Sequence, residues 1–435
     1  MSVVTIGILL GLLLFLALGS GLWVSFTLLF LGMLGMFLNG NDWGIVSANV
    51  AWSGVSVWSL TALPMFLWMG EILFRTKLSK NLFDGLSIWF DRIPGKLLHA
   101  NILSCGIFAA VSGSSAATVA TIGNITLSHL ERLGYKKSLS IGTLGGSGTL
   151  GLLIPPSIVL IVYGVAADVS IARLFAAGIL PGIMLIVFFS SYVIIYCKIK
   201  PDAVPADSKE TYSFLEKIKI SVKLLPVLVL IVGVIGSIYV GVATPNEAAA
   251  IGVIGSLILG ALDGSLSRKI IVDGLLGAVR INAMLLFIIV SANVLTIAMA
   301  YIGIPRELAE WIGSLNLSQG WLLLLLGIMY LILGCFLDGI SIILLTTSVI
   351  LPVIQSAGFD LIWFGIFLVF LVEIAQITPP VGFNLFVLQS LTKENIFRLC
   401  LYTMPFFIII LFSIVIIWIF PDIVTYLPTK MLTRQ

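Results

Sequence analysis

Charge is what this chain has least of. Its 23 Lys and Arg and 20 Asp and Glu make up only 10% of 435 residues, and it has just two histidines and four cysteines. With 60% hydrophobic residues and a mean hydropathy of +1.18, it carries more apolar surface than a soluble domain can bury. No ionisable side chain precedes Asp42, so the first apolar run (3–18) lacks the basic start of a signal peptide and reads as a retained transmembrane helix. Cys105, Cys197, Cys335 and Cys400 stand singly in apolar runs, without CxxC or Cys/His spacing. That excludes a transition-metal site and a disulfide frame, and leaves the cysteines as small buried hydrophobes. A net charge of +3 with no basic block gives no sign of a nucleic-acid partner.

What is present is a succession of apolar runs long enough to cross a bilayer: 3–19, 21–38, 58–75, 138–167, 171–197, 222–241, 244–262, 281–301, 361–392 and 396–420. Two pairs do not fit that pattern. Segments 97–111 and 116–130 would each be about 22 Å long as helix, against roughly 30 Å of hydrocarbon, and they meet at the polar Ser112-Gly113-Ser114-Ser115. Segments 321–337 and 340–356 meet at Asp338-Gly339. Short helices joined by a polar tip predict re-entrant hairpins, tolerated where protein or a cavity covers the tip. If each hairpin returns to its own side, the connections at 75–98, 131–137, 198–223, 263–280 and 393–398 share one face and hold 19 of the 23 Lys and Arg. The positive-inside rule makes that face cytoplasmic and puts both termini outside.

The hairpins belong to an internal repeat. Ser112-Gly113 matches Asp338-Gly339 at an offset of 226, while Gly134-Tyr135 matches Gly358-Phe359 and Pro155-Pro156 matches Pro379-Pro380 at 224. Each unit reads as hairpin, Gly-aromatic turn, then a long helix broken at Pro-Pro. Three crossings separate the units, and an odd number inverts the second. The expected class is an all-α polytopic membrane protein of inverted-repeat, elevator type, with two re-entrant hairpins and two broken helices. The expected parts are scaffold helices with an interfacial arm (1–95), repeat 1 (96–197), connector, scaffold and a second arm (198–301), and repeat 2 (302–435). The arms are predicted from amphipathic stretches at 78–96 and, more weakly, 265–280; 198–221 reads as a polar connector.

The chemistry lies at the breaks and tips. Segment 138–167 would be about 45 Å as one helix, too long for the bilayer unbroken. Gly145, Gly146, Gly148 and Gly151 loosen it, and Pro155-Pro156 stop it. A mid-membrane break frees carbonyls that replace a cation's water and N–H groups that attract a carboxylate. The second copy, EIAQITPPVGFNLF, supplies Thr378, Pro379, Gly382 and Asn384, facing an acid at the other tip, Asp338. An acid at membrane depth is a functional candidate by default. Glu71, Glu247 and Glu373 read instead as caps or braces near the interfaces.

The stretches GIFAAVSGSSAATVATIG, GTLGLLIPPSIVLIVYG, LFAAGILPG, TPNEAAAIG and ITPPVGFNLF, taken in order, resemble the large membrane subunit of tripartite ATP-independent periplasmic (TRAP) transporters, over nearly the whole chain. The resemblance implies a sodium-coupled elevator transporter in the bacterial inner membrane. It also implies two partners, a separate four-helix small membrane subunit and a periplasmic substrate-binding protein, and small carboxylates as substrates. Carried onto this sequence, it gives one sodium site from Ser112, Gly113, Ser114, Gly145, Gly148 and Thr149, and another from Asp338, Gly339, Thr378, Pro379 and Gly382. Substrate would meet Ser114, Ser115, Thr118, Ser341 and Asn384. No cofactor beyond sodium is implied, and the pocket's polar character, uncharged apart from Asp338, suits sialic acid at least as well as a C4-dicarboxylate. One alternative is proton coupling through Asp338 or His129. Another is an intramembrane hydrolase using Ser114 or Ser147, which lacks a nearby base because His99 and His129 sit at the hairpin's cytoplasmic base.

Overall fold

A computed structural model of the chain describes residues 2–40, 43–205, 213–315, 317–334, 336–379 and 382–432; Cys335 and Pro380 lie outside the described residues. Among the described residues there is no strand. The chain opens with α1 (Val3–Gly19), α2 (Val24–Leu38), α3 (Trp43–Val55), a 3-10 turn (Trp58–Thr61) into α4 (Ala62–Arg75), and α5 (Leu78–Ser87). The first repeat is α6 (Leu97–Ser112), α7 (Ser115–Arg132), α8 (Lys137–Gly148), α9 (Ile158–Ala166) and α10 (Ile171–Ile199). Next come α11 (Phe214–Ser221), α12 (Leu225–Val240), α13 (Pro245–Leu262), α14 (Arg268–Ile302) and α15 (Ile304–Ser314). The second repeat is α16 (Gln319–Gly334), α17 (Gly339–Ser356), α18 (Leu361–Gln376), α19 (Phe383–Thr392) and α20 (Ile396–Ile419), followed by α21 (Asp422–Leu432).

The packing partners repeat as the elements do. α6 and α7 pack on α8, and α16 and α17 pack on α18. Across the repeats, α7 meets α19 as α17 meets α9, and α8 meets α20 as α18 meets α10. Each hairpin therefore rests on the first half of its own broken helix and touches the second half of the other. Two polar contacts add to this exchange. The Tyr163 hydroxyl of α9 donates to the Leu361 carbonyl of α18 at 2.6 Å, and Lys137 at the start of α8 pairs with Glu394 beyond α19 at 2.8 Å.

Outside this body, α4 packs on α13 and α14, and α14 on α2 and α3. Small residues permit the approach: a Cβ added to Gly32 would lie 2.7 Å from the Leu295 backbone nitrogen. Outward faces carry stripes such as Ile251, Ile254 and Ile258 on α13, or Leu324, Ile328 and Ile332 on α16, all exposed. A surface this apolar suits hydrocarbon rather than water. Among the described residues, five helices, taking α11–α12 as one, are long and apolar enough to cross a membrane, and two bent helix pairs, one of them within α17, raise that to seven.

Several expectations need correcting. The arm predicted at 78–96 is helical only to Ser87; turns carry the chain on to 96, with Gly95 and Lys96 at positive φ just before α6 begins. Pro94 explains part of this, since it disfavours helical geometry in the residue before it. Leu82 and Phe83 are buried in contacts that include α6 and α7, so much of the arm's apolar face covers the first hairpin rather than lipid. The second arm and the crossing after it are one 35-residue helix, α14, because nothing in 265–301 interrupts it. It is about 52 Å long, more than a bilayer needs. Helices α3, α15 and α21 were not expected; α15 pairs Arg306 with Glu310 at 2.9 Å on its polar side.

Candidate ion and substrate site at the hairpin tips

The serine-rich tip folds into a closed hydroxyl knot. α6 ends because Gly113 takes the left-handed conformation (φ 58°), which a residue without Cβ adopts freely. Ser114 then caps α7, its side chain accepting from the Ala117 amide. The Ser112 and Thr118 hydroxyls lie 2.9 Å apart, Thr118 donates to the Ser114 carbonyl at 2.8 Å, and Ser112 to the same carbonyl at 3.2 Å. Ser112, Ser115 and Thr118 are buried. Below the knot, Asn101 donates to Thr143 and accepts from Thr126, each at 3.1 Å, tying α6, α7 and α8 into one polar-bonded unit.

The tip seats directly on the first break. The Ile158 amide donates to the Gly113 carbonyl at 3.4 Å, and a Cβ on Gly113 would stand 2.7 Å from the Pro156 carbonyl oxygen. A Cβ on Gly151 would stand 2.6 Å from the Ser114 carbonyl. The open backbone of the break contains Pro155-Pro156. α8 remains helical through Gly148, Thr149–Gly151 form a 3-10 turn, and helix resumes at Ile158 after Ser157 caps α9 by accepting from the Leu160 amide at 3.3 Å. The glycine run permits close packing rather than loosening the helix. Gly145 faces Thr403 and Leu388, Gly146 faces Phe406 and Gly148 faces Val119, each too close for a side chain. The open backbone is 152–157, so Gly145 sits in regular helix away from the tip. The Thr149 hydroxyl is turned back onto the Gly146 carbonyl at 2.9 Å.

In the second repeat Asp338 caps α17. Its carboxylate accepts from the Ile340 amide at 3.2 Å, the Ser341 amide at 3.3 Å and the Ser341 hydroxyl. Gly339 lies against Val372 and Gln376 of α18, and Gly334 against Ala375, so this tip too rests on its own broken helix. Thr378 donates to the Ile374 carbonyl at 2.7 Å, and Gly382 opens α19 with φ 22°, its backbone folded close to the Thr378 carbonyl. Asn384, in the first turn of α19, is fully buried with neither amide atom hydrogen-bonded. Among the described residues no cluster of His, Cys, Asp and Glu could hold a transition metal. The oxygens at the tips and breaks suit a hard cation instead.

Residues 9–423 match the family profile described as the DctM component of the tripartite ATP-independent periplasmic transporters. The chain belongs to that family. It is similar to the C4-dicarboxylate TRAP transporter large permease protein DctM of Pseudomonas aeruginosa, 35% identical over 85% of this chain and 86% of that one. It also resembles the ectoine permease TeaC of Halomonas elongata (29%, covering 86% and 87%) and the isethionate permease DctMQ of Oleidesulfovibrio alaskensis (30%, 86% and 59%). Among solved structures, the YdaH transporter of Alcanivorax borkumensis superposes with a TM-score of 0.60 at 13% identity, over 82% of this chain and 83% of that one. At that identity the likeness concerns fold alone.

This DctM-family chain is thus a multi-pass membrane transporter component and not an enzyme. Its histidines serve structure: His99 bonds the Pro94 carbonyl at 2.8 Å and His129 packs on Phe83. In the family stretch TPNEAAAIG, Thr244 caps α13, Pro245 starts it and Glu247 completes a capping box, as the reading of Glu247 as a cap expected. Glu373 is the exception to that reading. It is fully buried within α18, and neither carboxyl oxygen has a hydrogen-bond partner. Gln376, one turn on, is also buried with its Oε1 unpartnered. Sequence reasoning gave Glu373 no site role, although its place six residues before Pro379 was available as a signal.

Proposed function

We propose that this permease carries out sodium-coupled uptake of a small organic anion across the bacterial inner membrane. A separate small membrane subunit and a periplasmic binding protein that delivers the substrate would be its partners. The observation that carries the reading is the seating of a re-entrant tip on a broken helix, made once with Ser112, Gly113 and Ser114 on 151–158 and again with Asp338 and Gly339 on α18. Each junction gathers hydroxyls, backbone carbonyls and helix N-termini at one place. Cations bind the oxygens, and the amide ends of α7, α9, α17 and α19 favour a carboxylate. The sodium regions are Ser112, Gly113, Ser114 and 148–151 in one repeat and Asp338, Gly339, Thr378, Pro379 and Gly382 in the other. Ser115, Thr118, Ser341 and Asn384 are the substrate-facing polar set.

The two repeats would form a moving body and α1–α5 with α11–α15 a static scaffold, giving an elevator with both termini periplasmic. The contact of scaffold Gly70 with Ser112, where a Cβ would come within 3.2 Å of the Ser112 Cα, marks one sliding surface. The names of relatives point to C4-dicarboxylate, isethionate and ectoine classes, and a polar site uncharged apart from Asp338 also suits a polyhydroxylated acid such as sialic acid. Uptake of these labelled compounds into vesicles containing all three components tests the reading. An inward sodium gradient should drive uptake of one of them. Uptake driven equally well by a proton gradient without sodium would sink sodium coupling.

A further inference from the structure

We propose that Glu373, with Gln376, adds an anionic ligand to the cation site of the second repeat, beside the Asp338 tip. The inference deepens the sodium-coupled reading and rests on it. Both Glu373 oxygens and Gln376 Oε1 are buried and without hydrogen-bond partners. The two residues are three apart on one helix, hence on one face, and the Gln376 side chain lies beside the start of α17, 3.6 Å from where a Gly339 Cβ would stand. An isolated carboxylate inside a membrane protein is among the costliest groups to leave uncompensated, so the site calls for a positive charge.

The surroundings decide which one. Three unpartnered acceptor oxygens lie on this face of α18, two of them on one fully buried carboxyl. A proton would satisfy one of those oxygens and leave the others bare, whereas a hard cation takes several oxygen ligands at once. Asp338 is already engaged by two amides and a hydroxyl, as a helix cap should be. The repeat adds an independent argument. At the Pro-Pro offset of 224, Glu373 corresponds to Thr149, a buried hydroxyl beside the first tip. The second repeat therefore places a full charge where the first has a dipole, and its cation would be held more tightly and released later.

The test is thermal unfolding of the purified full chain while sodium replaces potassium at constant ionic strength and pH. Glu373→Gln keeps the shape and removes the charge. It should melt no lower than wild type without sodium, since the uncompensated charge is gone, and should need at least about tenfold more sodium for a half-maximal shift. Glu310→Gln, at an exposed position on α15 outside both junctions, should respond as wild type does. A wild-type response to sodium that Glu373→Gln retains in full overturns the inference and leaves sodium coupling standing. A variant that melts lower without sodium also overturns it, by showing a structural role for the carboxylate. No wild-type sodium response, with a pH-dependent midpoint that Glu373→Gln abolishes, overturns both in favour of a proton.

Discussion

The two hairpin-and-break units share one architecture and differ in how their polar groups are satisfied. In the first, the tip bonds to itself: Ser112, Thr118 and the Ser114 carbonyl bond one another, and Thr149 bonds back to Gly146. In the second, Asp338 is satisfied as a cap while Glu373, Gln376 and Asn384 keep unpartnered atoms. A closed network rigidifies, and an open one awaits something to complete it. The first unit thus offers a preformed, uncharged polar seat, and the second leaves a buried carboxyl open.

The hardest way to break the comparison is to wedge the first tip off its seat. Gly151→Val would drive side-chain carbons into the Ser114 backbone, and helical backbone there cannot yield without moving the hairpin. We expect loss of about 1–3 kcal/mol or more of stability and uptake reduced by at least tenfold, read by thermal unfolding and vesicle uptake. Asn384→Leu comes next. It replaces an unpartnered buried amide with an apolar side chain of similar size, so stability should hold or rise while uptake falls by more than tenfold. A variant that transports normally would remove Asn384 from the substrate set.

Smaller effects sharpen the contrast. Thr118→Val deletes the hydroxyl that bridges Ser112 and Ser114 and should cost about 1 kcal/mol, seen as a lowered thermal midpoint. The smallest effect concerns the Lys137–Glu394 pair that joins the repeats. The Lys137 ammonium beside Glu394 holds its carboxyl below the usual carboxylate range, with Arg398 contributing less. A carboxyl depressed by folding contributes stability that is present above its unfolded value and is lost as pH falls through the folded one. The thermal midpoint should therefore sag as pH drops below about 4.5, and Lys137→Gln should flatten that part of the profile. An unchanged profile would show that the pair contributes nothing.

Much of the plan was legible because membrane chains are punctuated by their own chemistry. Hairpin bounds followed from short apolar runs around polar tips: 97–111 and 116–130 became α6 and α7, extended by one or two residues at most ends. The repeat followed from three pairs at almost one offset. What escaped depended on tertiary packing. The glycines at 145–148 read as a loosened helix, but each one makes room for a side chain from α7, α19 or α20, which no local signal reveals. α5 read as lipid-facing because its amphipathic pattern does not say whether hydrocarbon or protein covers the apolar face. Glu373 read as a brace because sequence gives no depth along a helix, and its lack of a partner is a property of the folded neighbourhood alone.

Hydrogen–deuterium exchange on the purified permease, compared between sodium and potassium at equal ionic strength, tests the central claim most directly. Amides in the first turns after the tips and breaks (113–118, 157–161, 338–342 and 382–386) have few helical partners and should report ion binding nearby. The account predicts sodium-dependent protection at both junctions, with Glu373→Gln abolishing it at the second and sparing the first. Protection absent from both junctions, or confined to the connector and scaffold, would contradict it.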